Sequence, residues 1–154
     1  LREVIAAAEL LKKDFDVESD IWSILGVNEL HRDGIEADRY NLTHPEGKQK
    51  VSFLTKAMKG HEGPVVISTD YIRAYPEQIR RLIPNKHVTI LGTDGFGRSD
   101  FREALRKFFE VDRYYIVLAA LKGLADEGSI PAKKVSEALK LYSIDVDKPN
   151  PLLN

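Results

Sequence analysis

Two short apolar runs separated by a helical segment constrain the fold of this chain more than any other feature. Residues Val65–Thr69 and His87–Leu91 are rich in β-branched side chains and are flanked by Gly, Pro and Asp, which predicts two buried strands. A helical segment at about Pro76–Leu82 lies between them. A strand–helix–strand order favours parallel pairing with helices packed against the sheet. The chain is therefore predicted to be an α/β protein.

Further helices and one further strand are predicted around this unit. Ile21–Leu25 is a short apolar run typical of a third strand. Hydrophobic periodicity predicts the helices Leu1–Phe15, Asn28 to about Tyr40, Val51–Met58, Asp100–Phe109, Tyr114–Glu127 and one after Pro131. In the second of these helices Asn28 is the expected N-cap, and Leu30, Ile35 and Ala37 are the expected buried residues. Pro84-Asn85 is the expected stop of the helix after the first strand. We expect three layers, α/β/α, with a mixed, mostly parallel sheet that has at least one more strand.

Composition excludes several classes of partner. The 23 Lys and Arg residues nearly cancel the 24 Asp and Glu residues, so no net charge attracts nucleic acid. No apolar run approaches the roughly 18–20 residues needed to span a bilayer, so no membrane association is expected. Cysteine is absent, which excludes disulfides and thiolate metal sites and fits a reducing, cytoplasmic location.

The start of the chain indicates a fragment. Leu1 is followed directly by a helical pattern, without an initiator Met, a signal peptide or a capping residue. A length of 154 residues is that of one domain. We therefore expect residues 1–154 to be a single domain, truncated at its N-terminus from a larger multi-domain enzyme.

The most distinctive segment is the glycine-bearing loop Gly92–Asp100, predicted between a strand and a helix. Ligands of open α/β sheets bind at this position. One interpretation is local architecture, with Asp100 and Glu103 as a capping box or Ser99 as the cap. The others are a contact to another domain or active site, and a phosphate site, which Asp94 and Asp100 would oppose by their charge.

A second polar segment, Ser68–Tyr75, follows the preceding strand and is expected at the same edge of the sheet. Asp70, Tyr71, Arg73 and Tyr75 suit either helix capping with an Arg–Asp pair or a contact between domains. No nucleophile–base order, paired carboxylates or phosphate-binding loop occurs, so no independent catalytic centre is predicted. His61-Glu62 begins like a zinc-protease helix, but Gly63-Pro64 breaks it and no second His follows.

These segments together resemble the C-terminal portion of homodimeric, bacterial-type pyruvate dehydrogenases, in the transketolase superfamily. The resemblance covers nearly the whole chain and is specific at Gly92–Tyr115. It is carried by Ile21-Trp-Ser, Asn28–Gly34, Gly60–Val66, Ser68–Arg80, Gly92–Asp100 and Arg102–Tyr115. Transketolases themselves match only at the level of the fold and around Phe96–Ser99.

The resemblance implies a transketolase C-terminal-domain-like fold and a non-catalytic assembly role. In the family, the parent enzyme decarboxylates pyruvate and acetylates lipoyl groups, using thiamine diphosphate and magnesium held by the preceding domains. The implied partners are those domains, the second subunit of a homodimer and a dihydrolipoyl acyltransferase. No catalytic, cofactor-binding or metal residue carries over, because an Asn downstream of the Asp94-Gly95 pair is missing from Ala119–Leu124. The expected contacts to other domains or to the rim of an active site are Asp70, Arg73, Asp94, Phe96, Arg98 and Ser99.

Two alternatives remain open at this point. One is a small regulatory module that binds a nucleotide or phosphate at Gly92–Asp100. The other is the C-terminal domain of a different transketolase-superfamily enzyme.

Overall fold

The computed structural model describes residues 1–84 and 86–153, in which short strands alternate with helices. The elements in chain order are α1 (Arg2–Phe15), α2 (Val27–Thr43), α3 (Phe53–Ala57), β1 (Val65–Ser68), α4 (Ala74–Glu77), β2 (Val88–Leu91), α5 (Arg102–Phe108), α6 (Arg113–Asp126) and α7 (Lys133–Leu141). Short 3-10 turns cover Arg80–Leu82 and Pro151–Leu153. Asn85, part of the expected helix stop, lies outside the described residues. None of the described helices is long and apolar enough to cross a membrane.

The two strands pair in parallel, as predicted from their strand–helix–strand order. The register aligns Val65 with Val88 and continues to Ser68 with Leu91. The predicted α/β class is confirmed. The wider, mixed sheet of the expected three-layer arrangement stays a prediction, because only β1 and β2 pair among the described residues.

Alternate residues of the strands face two separate hydrophobic cores, as the period of two in a strand requires. Val65 and Ile67 pack against the α2 core, whereas Val66 and Leu91 pack against the α6 core. The α2 core consists of Val27, Leu54, Met58, Ile79, Leu82, Ile83, Val88 and Ile90. The α6 core consists of Ala7, Leu11, Ile116, Val117, Leu121 and Ala138.

Helix α6 is the central element of the α6 core. Val117 and Leu121 have no exposed surface. The Asp112 carboxylate accepts hydrogen bonds from the backbone N–H groups of Tyr114 and Tyr115 and so caps the helix. Burial raises the pKa of Asp112 above its usual range, against the opposing effect of these bonds. At Gly123 an added Cβ would lie 2.6 Å from Pro64, so glycine allows α6 to approach the start of β1 closely.

Four sequence-based expectations are wrong in detail. Ile21–Leu25 has no strand structure, because no neighbouring strand pairs with it among the described residues. Ile35 points outward from α2 and is 47% exposed, whereas Ala37 is buried as expected. Helix α2 begins at Val27 after Gly26, so Asn28 is not its cap. Asp100 does not form the capping box, because Phe101 is the N-cap of α5 and, among the described residues, the Asp100 carboxylate accepts only from the Phe101 N–H.

A partly buried ion-pair network joins α1 to the start of α6. The Glu3 carboxylate accepts hydrogen bonds from the backbone N–H and the guanidinium of Arg113, at 3.1 and 2.9 Å, and lies 3.5 Å from Arg106. Glu3 is the shielded partner, with 16% of its side chain exposed. Replacing Glu3 with Ala is expected to lower the free energy of unfolding by about 1–3 kcal/mol, because Arg113 loses a charged acceptor. Urea unfolding measures this change, and Glu9→Ala on the exposed face of α1 is the control.

The same contact predicts a pH dependence. Hydrogen bonding from Arg113 lowers the pKa of Glu3 below its ordinary value. The stabilisation is therefore complete above the ordinary glutamate pKa of about 4.3 and is lost as the pH falls below it. The stability difference between the native chain and Glu3→Ala should shrink in acid. A difference that stays constant from pH 7 to 3 would contradict the assignment.

Candidate functional site

The loops that follow β1 and β2 are joined by a pair between Arg73 and Asp94. The Arg73 guanidinium Nε lies 2.8 Å from Asp94 Oδ2, and the Arg73 backbone N–H donates to the same carboxylate at 3.2 Å. The Asp94 side chain is 20% exposed and that of Arg73 is 45% exposed. Asp94 therefore holds both the main chain and the side chain of the neighbouring loop.

Backbone contacts reinforce this junction. Thr93 donates from its N–H to the Tyr71 carbonyl and from its hydroxyl to the Asp70 carbonyl, each at 2.9 Å. At Gly92 an added Cβ would lie 2.7 Å from the Tyr71 carbonyl oxygen and 2.9 Å from the Arg73 nitrogen. Only glycine allows this approach, so the two loops form one surface at the carboxyl edge of the strands.

The C-terminal residues complete this edge, which the sequence did not indicate. Gly95 has a φ of +104°, and an added Cβ there would lie 2.5 Å from the Pro151 carbonyl oxygen. A cavity of about 90 Å³ lies between Arg73, Asp94, Glu110 and the segment Asn150–Leu152. No signal in the sequence relates Pro151 to Gly95, because the contact depends on the path of the whole chain.

Large apolar side chains point outward from these loops. Phe96 is 79% exposed and Phe101 is 85% exposed, and Tyr71 and Ile72 are also exposed. We call residues 70–73, 93–101 and 151–153 the carboxyl-edge surface. Monomeric soluble proteins rarely expose contiguous apolar patches larger than roughly a few hundred Å², and such patches mark binding surfaces.

The remaining expected contact residues lie on this surface with different partners. The Arg98 guanidinium stacks over the Phe108 ring at 4.3 Å from its centroid, and Ser99 is exposed. The Asp70 side chain is exposed, and Arg73 pairs with Asp94 rather than with Asp70. The structure thus brings Arg73 and Asp94 into contact and places Asp70, Phe96, Arg98 and Ser99 at the surface around them.

The phosphate-site alternative gains no support from this geometry. The amide and guanidinium of Arg73, which an anion would need, already bind Asp94. Helix α5 spans only Arg102–Phe108, and its first turn carries Glu103. A bound phosphate would face this carboxylate and that of Asp94.

A second concavity, of about 480 Å³, lies at the opposite edge of the strands. It is lined by Met58, Lys59, Gly60, His61, Glu62, Gly63, Pro84, Lys86 and Glu127. His61 Nδ1 lies 2.9 Å from Asp20 Oδ2, and Lys86 donates to the carbonyls of His61 and Gly63. Among residues 1–84 and 86–153 no group of three or more His, Cys, Asp or Glu side chains is placed to bind a metal.

Comparison with known proteins identifies the family of this chain. The transketolase-like TK C-terminal domain family matches residues 1–112, which include both strands and the Arg73–Asp94 junction. The chain belongs to this family.

Individual relatives in this family are similar over almost the entire chain. The chain is 58% identical over 151 residues to the pyruvate dehydrogenase E1 component of Cupriavidus necator, covering 98% of the chain. It is 53% identical over 152 residues to that of Pseudomonas aeruginosa and 46% identical over 153 residues to that of Escherichia coli strain K12, each covering 99% of the chain. In each comparison the matched region is 17% of the length of the relative.

Proposed function

We propose that residues 1–154 are one domain of a larger pyruvate dehydrogenase E1-type enzyme and that this domain assembles the enzyme without performing its chemistry. The observation that carries the proposal is the carboxyl-edge surface, where exposed aromatic side chains lie around the Arg73–Asp94 junction. Similarity to pyruvate dehydrogenase E1 components over 98–99% of the chain supports the assignment to such an enzyme.

The carboxyl-edge surface has the chemistry of an interface. Tyr, Phe and Arg are enriched in the buried centres of protein–protein contacts, where aromatic side chains contribute most of the binding energy. Because Asp94 and Gly92 fix the two loops, Phe96 and Tyr71 are held on a preorganised surface, which lowers the entropy lost on docking. We place Asp70, Arg73, Asp94, Phe96, Arg98 and Ser99 in contact with the other domains of the parent enzyme or the rim of its active site.

The residues present do not fit thiamine diphosphate and magnesium. Magnesium that holds a diphosphate takes carboxylate and amide oxygens as ligands. Asp94, the residue nearest to such a motif, binds Arg73, and the described part of the chain offers no cluster of three acidic or histidine side chains. We therefore assign the cofactor to other domains of the parent enzyme, together with pyruvate decarboxylation and acetylation of lipoyl groups.

The proposed partners follow from this assignment. They are the preceding domains of the same polypeptide, the second subunit of a homodimer and, for the parent complex, a dihydrolipoyl acyltransferase. The proposed location is the cytoplasm. Within the parent we expect the sheet to be wider than two strands and to form the middle of three layers, because α2 and α6 cores already lie on its two faces.

The proposal is tested by Phe96→Ala in the full-length parent enzyme. The change should weaken association of the parent by about 2 kcal/mol or more, roughly 30-fold, if Phe96 is an interface anchor. Analytical ultracentrifugation and the pyruvate dehydrogenase rate at low enzyme concentration measure this loss.

Two comparisons make the result specific. In residues 1–154 alone, Phe96→Ala should change stability by no more than about 0.5 kcal/mol, because the ring is exposed. Phe53→Ala in the parent is the matched control, since Phe53 is 64% exposed on α3, outside the carboxyl-edge surface. Equal association of the native and Phe96→Ala enzymes would reject the proposal.

A further inference from the structure

The last described residues of the chain return to the carboxyl-edge surface. Helix α7 ends at Leu141, and we call residues 145–153, which follow it, the C-terminal clasp. Among the described residues, neither the α2 core nor the α6 core includes a member of the clasp, although Pro151 is buried. The clasp is therefore held in place by contacts outside the two cores.

Lys148 binds the clasp to the end of α5. Its Nζ donates to the carbonyls of Lys107 and Phe108, at 3.1 and 2.6 Å, and to the Glu110 carboxylate at 3.1 Å. An ammonium group has three donors, so these bonds use all of them. The last carbonyls of a helix lack partners within it, and the helix dipole favours a positive charge at this end. The Lys148 side chain is only 22% exposed, which limits the screening of these contacts by salt.

Glu110 supplies the negative charge opposite Lys148 from a backbone position that favours glycine. Its φ is +61°, a left-handed conformation in which a Cβ crowds the following carbonyl. Glu110 directly follows the C-cap of α5, where such a residue commonly ends a helix. Burial and the Glu110 charge raise the pKa of Tyr115, whose ring centroid lies 5.6 Å from Lys148 Nζ, to about 12. The tyrosine therefore stays neutral, and its ring attracts the ammonium.

The Phe108 ring connects Lys148 to the Gly92–Asp100 loop. Lys148 Nζ lies 5.5 Å from the centroid of this ring, and the Arg98 guanidinium lies 4.3 Å from it. Both distances fall within the roughly 6 Å over which a cation is attracted to an aromatic ring. A residue of the clasp and a residue of the loop therefore share one aromatic partner on α5.

The clasp also meets the loop directly at Gly95. The Pro151 carbonyl oxygen would lie 2.5 Å from a Cβ added there, and the Leu152 Cα would lie 3.4 Å from it. Gly95 and Arg98 are thus both linked to the clasp, and Phe96, which is 79% exposed, lies between them in the chain. The backbone that carries this exposed ring is therefore held on both sides.

We propose that the C-terminal clasp, closed by Lys148, is a conformational device that holds the Gly92–Asp100 loop in the shape needed for docking. The inference rests on the proposed function in taking the carboxyl-edge surface as a docking surface. With the clasp closed, Phe96 is presented in a fixed position, which lowers the entropy lost on docking. With the clasp open, Gly95 loses its neighbour and the loop samples other conformations. Since coupling between two sites is reciprocal, docking at Phe96 in turn favours the closed clasp.

Lys148→Met tests the clasp in residues 1–154. Methionine keeps an unbranched apolar stem against the aromatic rings but removes the charge and the three donors. We expect the backbone order parameters of Gly95, Phe96 and Leu152, measured by NMR relaxation, to fall from about 0.85 to below about 0.6. Thr93, which bonds to the other loop, should keep its value. Native order parameters throughout Lys148→Met would overturn the proposal.

Two further chains separate the action of the clasp from general stability. Lys140→Met is the matched control, because Lys140 is exposed on α7 and its substitution should leave the order parameters native. A chain that ends at residue 147 lacks the contacts of the clasp but keeps every residue of the two cores. It should unfold at nearly the native temperature, yet Gly95 and Phe96 should loosen as in the lysine substitution. A loop with native order in this shortened chain would equally reject the clasp.

The full-length parent tests the link between the clasp and assembly. Lys148→Met should weaken association, measured by analytical ultracentrifugation, roughly 3- to 30-fold, the range for residues that influence a site without contacting its ligand. In the Phe96→Ala background the same change should add less than about twofold, because Lys148 acts through the position of Phe96. Effects of the two substitutions that multiply in full would show that Lys148 acts elsewhere and would reject the proposal.

The clasp and the assembly function fail in different ways. If Lys148→Met loosens the loop while Phe96→Ala leaves association of the parent unchanged, the hold of the clasp on the loop stands and the assembly function is rejected. If Phe96→Ala weakens association while Lys148→Met leaves the loop ordered, the assembly function stands and the clasp is rejected.

Discussion

Leu121→Ala should lower the free energy of unfolding of this chain by about 3–5 kcal/mol. Leu121 has no exposed surface and lies in α6, the helix that packs against α1, α7 and both strands. Truncation of a fully buried Leu removes its transfer free energy and leaves a cavity that surrounding helices fill only in part. Because a domain of this size has a total stability of about 5–15 kcal/mol, the variant should be close to its unfolding threshold.

Chemical denaturation followed by circular dichroism measures the effect. Leu141→Ala in α7 is the matched control, because Leu141 is 58% exposed and its truncation removes little buried surface. The midpoint should shift strongly for Leu121→Ala and by little for Leu141→Ala. Similar shifts for the two variants would show that α6 is not the centre of the core.

Gly92→Ala should destabilise the junction between the loops by about 1–3 kcal/mol and should also weaken assembly of the parent. The added Cβ would meet main-chain atoms of Tyr71 and Arg73, which cannot rotate away as a flexible side chain would. Relief of the clash separates the loops and lengthens the Arg73–Asp94 contact. The surface that presents Phe96 then loses its fixed shape.

Gly97→Ala is the matched control in the same loop. Apart from its two chain neighbours, no described residue has an atom within 4 Å of an added Cβ at Gly97, so the substitution is expected to leave stability within about 1 kcal/mol of the native value. Thermal unfolding gives the stability of each variant, and ultracentrifugation of the parent gives the association. If Gly92→Ala behaves like Gly97→Ala in both measurements, the close approach of the loops has no role in assembly.

Local patterns predicted the elements whose partners are encoded nearby. Helices α1 and α6 were predicted from the helical spacing of their apolar residues. The two strands were predicted from runs of β-branched residues between turn residues. Their parallel pairing followed from the helix between them. The prediction of a strand at Ile21–Leu25 was wrong, because β propensity measures only how well residues suit a sheet. A strand also needs a neighbouring strand with which to pair.

The candidate site was less accessible to prediction, because its contacts are not local. The sequence placed Arg73 and Asp94 at the same edge of the sheet, but the favoured partner of Arg73 was the nearby Asp70 rather than a residue on the next loop. No pattern in the sequence indicated the contact between Gly95 and Pro151. Asp100 and Glu103 have the spacing of a capping box, but the N-cap of α5 is Phe101, one residue after Asp100. The predicted capping box therefore does not form.

The bond between Glu3 and Arg113 has a consequence for synthesis on the ribosome. The two residues are separated by 110 positions, so α1 emerges long before the helix against which it packs. At about 5–20 residues per second, this delay lasts from several seconds to about 20 seconds. During this time Ala7 and Leu11 lack the residues of α6 that complete their core, whereas the α2 core, whose residues lie between Val27 and Ile90, is already translated. The domain is thus expected to form the α2 core first and to pack α1 in place only after α6 has been synthesised.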